Sequence, residues 1–241
     1  MLTAIVTGGA SGIGKATCEV LAQDGFRVAV ADRDFEGAKR VAEAIDGIAF
    51  AVDVADEGSV VELFAAAVPA LGGTLDALAT PAGIADATPF MDVPVATFQR
   101  LYAINVIGTY LCIREAAKRM HAGARICAVA SVAGKRGGGL TGTVAYAASK
   151  GAVLALVRNA ARALASSGIA VNCVAPGATA TPMIADTLSH ADQRQRLEDM
   201  IPLHRSGEPK EIAEAIAWLL SPRSSYVHGE TLTVDGGLVM D

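Results

Sequence analysis

The sequence predicts an α/β fold: a single domain, residues 1–241, built on a doubly wound parallel sheet of seven strands with helices on both faces. Three observations lead there. Short apolar runs alternate with helix-length stretches along the whole chain. The 52% hydrophobic content is spread over these short pieces rather than gathered into one span. A glycine-rich turn joins the first apolar run directly to the first helical stretch.

The elements follow in order. Residues 4–7, "AIVT", form a short run without polar alternation, as a strand buried on both faces does. The turn "TGGASGIGKAT" leads into a helix over 14–24. A second strand covers 27–31 and ends at Asp32, followed by a helix over 35–45. Strands at 48–52 and 75–79 flank a helix at 60–71. A long helix over 96–121 precedes a strand at 125–130, and another over 144–167 precedes a strand at 170–175. Residues 178–207 break the rhythm with Pro182, Pro202 and polar residues, and read as a lid or substrate loop. A helix at 210–220 and a strand at 231–234 close the chain. Right-handed crossovers make such a β-then-α series doubly wound. No linker or repeat marks a second domain.

Composition excludes several classes. The net charge is -5, and no basic run exists that could follow a phosphate backbone, so no nucleic-acid partner is expected. Neither a span of about 18 uncharged apolar residues nor a leader with a basic n-region is present, so no membrane association or secretion is expected. Cys18, Cys112, Cys127 and Cys173 are scattered, which suits a reducing, cytoplasmic setting. His121, His190, His204 and His228 have no metal-ligand spacing, and no metal is expected.

The turn Gly8, Gly9, Gly12, Gly14 has its own physical reading. Glycines let backbone amides approach a pyrophosphate, and a helix N-terminus supplies partial positive charge. Asp32 falls 18 residues beyond Gly14, where a carboxylate meets ribose hydroxyls. That carboxylate also repels a 2′-phosphate, so NAD (NADH) is favoured over NADP. The neighbouring Arg33 argues the other way, and Ser11 stands where a basic residue before Gly12 would have favoured the phosphate.

Tyr146 and Lys150 lie one turn apart on a single helix face. An isolated pair of this kind reads as an exposed helix with a snorkelling lysine. The sharper reading is a phenol made acidic by the ammonium beside it. Moving a phenol from about 10 to about 7 takes roughly 4 kcal/mol. A unit charge at about 4 Å supplies that order at an effective dielectric of about 20, so one ammonium a turn away, with help from an oxidised nicotinamide, is of the needed size.

The spacing Thr7-Gly8-x-x-x-Gly12-x-Gly14, with Tyr146-x-x-x-Lys150 later, resembles the classical short-chain dehydrogenase/reductase family. "VDV" at Asp53, "INVIGT" at Asn105, "SVAG" at Ser131, "CVAPG" ending at Gly177 and "TLTVDGG" near the end extend the resemblance over nearly the whole chain. It implies a Rossmann-like, NAD-dependent oxidoreductase moving hydride between a secondary alcohol or ketone and nicotinamide. By this resemblance Gly8, Ser11, Gly12, Ile13 and Gly14 cradle the cofactor, with Asp32 and Arg33 at its ribose and Asp53 and Val54 at its adenine. Ala82 and Gly83 would let it pass, and Pro176, Gly177, Thr179 and Thr181 would line its nicotinamide end. Asn105 would bend its helix and hold a water, and Ser131 would bind the substrate oxygen. Tyr146 would exchange the proton, while Lys150 would hold the nicotinamide ribose and lower the tyrosine pKa.

The chain also departs from the family. Thr80 and Pro81 replace asparagines that tie neighbouring strands, so local sheet bonding is expected to be disturbed there. Ala130 replaces a frequent serine, and the glycine-heavy "KRGGGLTG" brings Thr141 or Thr143 within reach of a substrate. Met183, Ile184, Leu188 and Met200 are candidates for the pocket roof. The substrate is expected to be a small, mostly apolar alcohol or ketone, and the resemblance implies pairing of the two long helices into a homotetramer, although their apolar stripes alone fit packing on the sheet. Two other readings compete: a 3-oxoacyl thioester reductase, and a silent NAD-binding sensor. A sensor has no need of Asn105, Ser131, Tyr146 and Lys150 together. A hydrolase lacks a serine in G-x-S-x-G, and a methyltransferase leaves the Tyr–Lys pair unexplained.

Overall fold

The computed structural model describes residues 1–138 and 143–240. Seven parallel strands form one sheet in the order β3-β2-β1-β4-β5-β6-β7. They are β1 (Thr3–Thr7), β2 (Arg27–Asp32), β3 (Ile48–Ala51), β4 (Leu75–Thr80), β5 (Met120–Val129), β6 (Ala170–Pro176) and β7 (Thr231–Val234). Between them run α1 (Gly12–Gln23), α2 (Phe35–Ala44), α3 (Glu57–Ala70), α4 (Val95–Leu101), α5 (Thr109–Ala117), α6 (Ala133–Arg136) and α7 (Val144–Leu164). The short α8 (Ala185–Ser189) and α9 (Ala191–Asp199) precede α10 (Pro209–Leu220).

Alternation along the central strands divides the core in two. Ile5, Leu78 and Ile126 face α3, α5 and α7, meeting Phe64, Leu111 and Val157. Val6, Ala77, Ala79 and Cys127 face the other way, toward Leu21 of α1 and Ile212 and Ile216 of α10. Successive strand side chains point to opposite faces, so a helical layer covers each side. Small residues beneath α1 and α10 let those helices lie close to the sheet. All four cysteines are buried free thiols. No helix among the described residues is long and apolar enough to cross a membrane.

The helix starts are chemically specified. Asp34 accepts from the Gly37 amide at 3.0 Å to cap α2, and Asp56 accepts from Gly58 at 2.8 Å to cap α3. Pro209 opens α10, where the Glu211 carboxylate accepts from the Glu208 amide at 2.8 Å. The cap at Asp56 starts α3 three residues before the apolar pattern at Val60 becomes visible.

The long helix expected over 96–121 is instead broken and shorter. A π-helical segment, Tyr102–Gly108, separates α4 from α5, and α5 ends at Ala117. Within the π segment the Asn105 carbonyl accepts from the Thr109 hydroxyl at 2.8 Å, and Gly108 presses on Val54, 2.9 Å from where a Cβ would sit. After α5, Met120 pairs with Leu75 and begins β5 five residues before the expected strand at 125. Glu115 anchors this turn: Arg114, Lys118 and Arg119 surround its carboxylate at 3.1, 2.6 and 2.9 Å. Their hydrogen bonds and charge overcome burial and hold its pKa at about 2.

The disturbance of sheet bonding expected at Thr80 and Pro81 is not found. The backbone ladder persists, with Val6 opposite Ala79 and Thr80 opposite Ala128. The hydroxyls of Thr7 and Thr80, however, are buried without a hydrogen-bond partner, and both line one narrow void with Ile104 and Thr109. A buried unpaired hydroxyl is costly, and an apolar isostere removes the cost. Thr80→Val is therefore expected to leave stability unchanged or raise it by up to about 1 kcal/mol. Urea unfolding checks this, and a clear loss of stability would mean that the Thr80 hydroxyl is satisfied.

Candidate active site

Chain order reverses between β1 and β4, so the loops leaving them part and open a cleft beyond the carboxyl ends of the strands. The cleft measures about 370 Å³. Its first wall is the turn between β1 and α1. Gly12 has φ +51°, a left-handed conformation that favours glycine. A Cβ on Gly14 would lie 1.9 Å from the Gly8 carbonyl oxygen, so only glycine permits the helix to start this close to the strand. A Cβ on Gly8 would lie 2.8 Å from Ala82, which brings the β4 loop against the turn. The first turn of α1 carries no acidic residue, and Ser11 makes no side-chain cap. The amides at that helix end therefore face the cleft without a carboxylate competing for them.

Asp32 ends β2 beside this turn. Its Oδ2 accepts from the Ala10 amide at 3.0 Å and its Oδ1 from the Asp34 amide at 2.9 Å. Two backbone donors fix the carboxylate, and its remaining lone pairs are available to ligand hydroxyls. Arg33, Asp53 and Val54 line the same region. Residues this turn leaves open, together with a fixed carboxylate at the second strand, fit a dinucleotide.

The reactive side chains meet on the other side of the cleft. Ser131, two residues past β5, accepts from the Ala133 amide at 3.1 Å and acts on Tyr146, lowering its pKa. Tyr146 is half-buried on the first turn of α7. Lys150 is buried one turn later, with Nζ 5.9 Å from the Tyr146 ring centre and donating to the Val129 carbonyl at 2.8 Å. Gly134 holds α6 on α7, since a Cβ there would lie 2.6 Å from the Lys150–Gly151 backbone.

In the protein alone the electrostatics oppose the shift expected from Lys150 with an oxidised nicotinamide beside it. Burial raises the Tyr146 pKa above the ordinary phenol value, and the Ser131 hydrogen bond offsets only part of that. Burial lowers Lys150 to about 8. Desolvation disfavours both charged forms, so in the protein alone it outweighs the attraction between them.

Every expected cofactor contact lines this one cleft: Gly8, Ser11, Gly12, Ile13, Gly14, Asp32, Arg33, Asp53, Val54, Ala82, Gly83, Pro176, Gly177, Thr179 and Thr181, with Ser131, Tyr146 and Lys150. Asn105 does not. It is fully buried, with Nδ2 donating to the Ile84 carbonyl and the Ser149 hydroxyl, both at 2.9 Å, and Oδ1 accepting from the Ile84 amide at 2.9 Å. Ser149 in turn donates to the Tyr146 carbonyl at 2.7 Å. Asn105 thus ties the β4 loop to the helix carrying Tyr146, and its side chain is saturated by protein partners. Thr143 is also engaged elsewhere, its hydroxyl donating to the Asp86 carbonyl at 3.3 Å. Thr141 lies outside the described residues.

Residues 178–207 cover the cleft. Their ends are pinned together: the Ala180 amide donates to Gly207 at 2.8 Å, and the Gly207 amide to Ala178 at 2.9 Å. Thr181 rests on the glycine turn, 3.3 Å from where a Gly12 Cβ would be. Met183, Ile184 and Met200 line the cleft as expected, but Leu197 does so in place of Leu188. Leu197 is the buried position of the otherwise polar α9. Sequence reading also missed Arg100 and Arg136 on the lining. Arg100 is a lone cation in a stretch without a motif, and Arg136 follows Lys135 in the glycine-heavy segment after Ser131.

A family model described as enoyl-(acyl carrier protein) reductase matches residues 8–239. L-rhamnose 1-dehydrogenase (NAD(P)(+)) of Azotobacter vinelandii is 38% identical, with 99% of this chain and 97% of that protein covered. Cis-4-hydroxycyclohexanecarboxylate dehydrogenase of Sinomonas cyclohexanicum is 40% identical over 97% of this chain and 95% of its own. Among solved structures, a short-chain dehydrogenase/reductase described as glucose/ribitol dehydrogenase, from Brucella melitensis, superposes with a TM-score of 0.93 at 32% identity, covering 100% of this chain and 97% of that one.

Proposed function

The chain belongs to the classical short-chain dehydrogenase/reductase family, an oxidoreductase acting on CH–OH groups, and from this we propose an NAD-dependent secondary-alcohol dehydrogenase in which Tyr146 is the acid and base. The observation that carries the reading is the convergence of Ser131, Tyr146 and Lys150 at the cleft that also holds the glycine turn and Asp32. Relatives named for a sugar, a cyclic hydroxy acid and sorbitol support a secondary alcohol as substrate.

When bound, the nicotinamide supplies the hydride acceptor or donor. The protein residues handle the oxygen and its proton. Ser131 and Tyr146 hold the substrate oxygen by hydrogen bonds from their hydroxyls. In oxidation the deprotonated Tyr146 takes the hydroxyl proton; in reduction the Tyr146 hydroxyl returns it, so charge never accumulates on the carbonyl oxygen. The Lys150 ammonium, fixed by the Val129 carbonyl, favours the phenolate. Asn105 and Ser149 hold the Tyr146 turn against the β4 loop. The lid from Thr181 to Met200 excludes water.

Asp32 supports NAD over NADP because its fixed carboxylate would meet a 2′-phosphate. The relative named as NAD(P)(+)-dependent shows that such a scaffold admits both. Asp32→Ala is expected to narrow the NAD preference by about tenfold or more, from like-charge repulsion lost at the ribose. Steady-state kinetics with both cofactors check this, and an unchanged ratio would reject the assignment.

Ile107 and Tyr110, about half exposed along α4–α5, support assembly through that helix into a homotetramer. A panel of cyclic secondary alcohols, polyols and ketones, followed through NADH absorbance, tests the function directly. The acyl-thioester reading, which shares only the acyl carrier with the enoyl reductase of the matching family model's description, predicts turnover of 3-oxoacyl thioesters and none of the alcohols.

A further inference from the structure

Two carboxylates and four cations line the cleft among the described residues. Asp32 and Asp53 are the carboxylates of the described lining. Both lie at the carboxyl ends of β2 and β3, and both are bonded to backbone amides, Asp32 to Ala10 and Asp34, and Asp53 to Ala55. The cations are Arg33, Arg100, Arg136 and Lys150. Arg33 adjoins Asp32, and Lys150 is buried against Val129. Arg100 and Arg136 remain, and neither guanidinium makes a hydrogen bond or ion pair with a described residue. Some guanidinium groups on the surface pair with carboxylates, as Arg194 does with Glu198 and Arg205 with Glu211; what sets Arg100 and Arg136 apart is their place on the cleft lining.

Arg136 has the better placement of the two. It closes α6, which begins two residues after Ser131. Its backbone is fixed, with the Arg136 amide donating to Val132 at 2.9 Å and Gly137 ending the turn at φ +84°. Gly134 presses α6 onto the backbone of Lys150 and Gly151. A rigid turn thus carries an uncompensated guanidinium on the segment that holds the substrate oxygen. A planar guanidinium pairs with carboxylates through two parallel hydrogen bonds.

Resting on the dehydrogenase reading above, we infer that the substrate is a hydroxy acid, or the matching keto acid, whose carboxylate is held by Arg136 while Ser131 and Tyr146 hold its hydroxyl or carbonyl. Arg136 lies five residues beyond Ser131, at the far end of α6, so the favoured acid carries its carboxylate away from the carbinol carbon.

The test compares secondary alcohols bearing a terminal carboxylate with their methyl esters, using wild type, Arg136→Gln and Arg100→Gln. The readout is the acid-to-ester ratio of kcat/KM. Wild type is expected to favour the acid by about 10- to 100-fold, the range for a hydrogen bond to a charged group. Arg136→Gln should bring the ratio near one, and Arg100→Gln should keep it. A wild-type ratio near one, a preference that survives Arg136→Gln, or one lost in Arg100→Gln instead would overturn the inference.

Turnover of the esters without acid preference leaves the dehydrogenase reading standing and removes this one. If wild type turns over neither, the dehydrogenase reading fails, and binding decides the site: cyclohexanecarboxylate should quench NADH fluorescence in the wild-type complex and not in Arg136→Gln. Absence of quenching in both would overturn it. Carrier-type substrates form a further arm. If Arg136→Gln acts on acyl-pantetheine 4′-phosphate relative to acyl-pantetheine, and not on the acids, the ligand is a phosphate and the carboxylate assignment is wrong.

Discussion

Tyr146→Phe is expected to lower alcohol oxidation by about 10²- to 10⁴-fold, the usual worth of a positioned acid–base group, while NADH affinity changes by less than about threefold. Phenylalanine fills the same space at the start of α7, so the helix and the Lys150 contact with Val129 persist. Only the hydroxyl is lost, and with it the proton carrier and the partner of Ser131. Stopped-flow or steady-state rates, with NADH fluorescence for binding, separate the two effects. Retention of more than about a tenth of wild-type turnover would place the acid–base role elsewhere.

Lys150→Met is expected to lose activity and to gain stability, in a way that depends on pH. Burial lowers Lys150 from 10.5 to about 8. Below pH 8 the lysine is charged in both folded and unfolded states, and the folded state bears the full desolvation cost, roughly 3 kcal/mol. Between pH 8 and 10.5 the folded state has released the proton and the unfolded state still holds it, so stability rises with pH across that window. Methionine has no such charge. Its stability advantage over wild type is therefore largest at pH 7 and shrinks toward pH 10.5. The unpaired Val129 carbonyl left in the variant subtracts a roughly constant amount at every pH. Urea midpoints at pH 7 and pH 10 measure the change, and an identical difference at both would mean that the lysine is not penalised by burial. Activity falls because the phenolate loses its neighbouring cation, most sharply in oxidation.

Much of the fold was legible because the physics that builds it is local. Seven apolar runs gave seven strands, and the glycine turn and Asp32 lie where their spacing placed them. What sequence reading missed depends on tertiary contact. Nothing in "RLYAINVIGTYL" announces a π-helical segment; it forms where Asn105 reaches Ile84 and Gly108 meets Val54. The end of α5 at Ala117 depends on Glu115 gathering three cations, while apolar periodicity continues to His121. Asn105 carried a motif, yet its side chain turns from the cleft because backbone and Ser149 partners saturate it. Arg136 carried no motif, and only the packing of α6 on α7 brings it to the cleft. The Tyr146–Lys150 spacing was legible, but the sign of the phenol's shift was not. Attraction depends on distance alone, whereas desolvation depends on everything packed around the pair.

A direct phenolate titration at about 295 nm addresses that pair. The spectrum of Tyr146→Phe is subtracted from wild type to isolate one of the four tyrosines, with and without saturating NAD. The account predicts that Tyr146 titrates above the ordinary phenol value of about 10 in the free protein and falls by at least about one unit once the positively charged nicotinamide joins Lys150 beside it. A midpoint that does not move when NAD binds would contradict it.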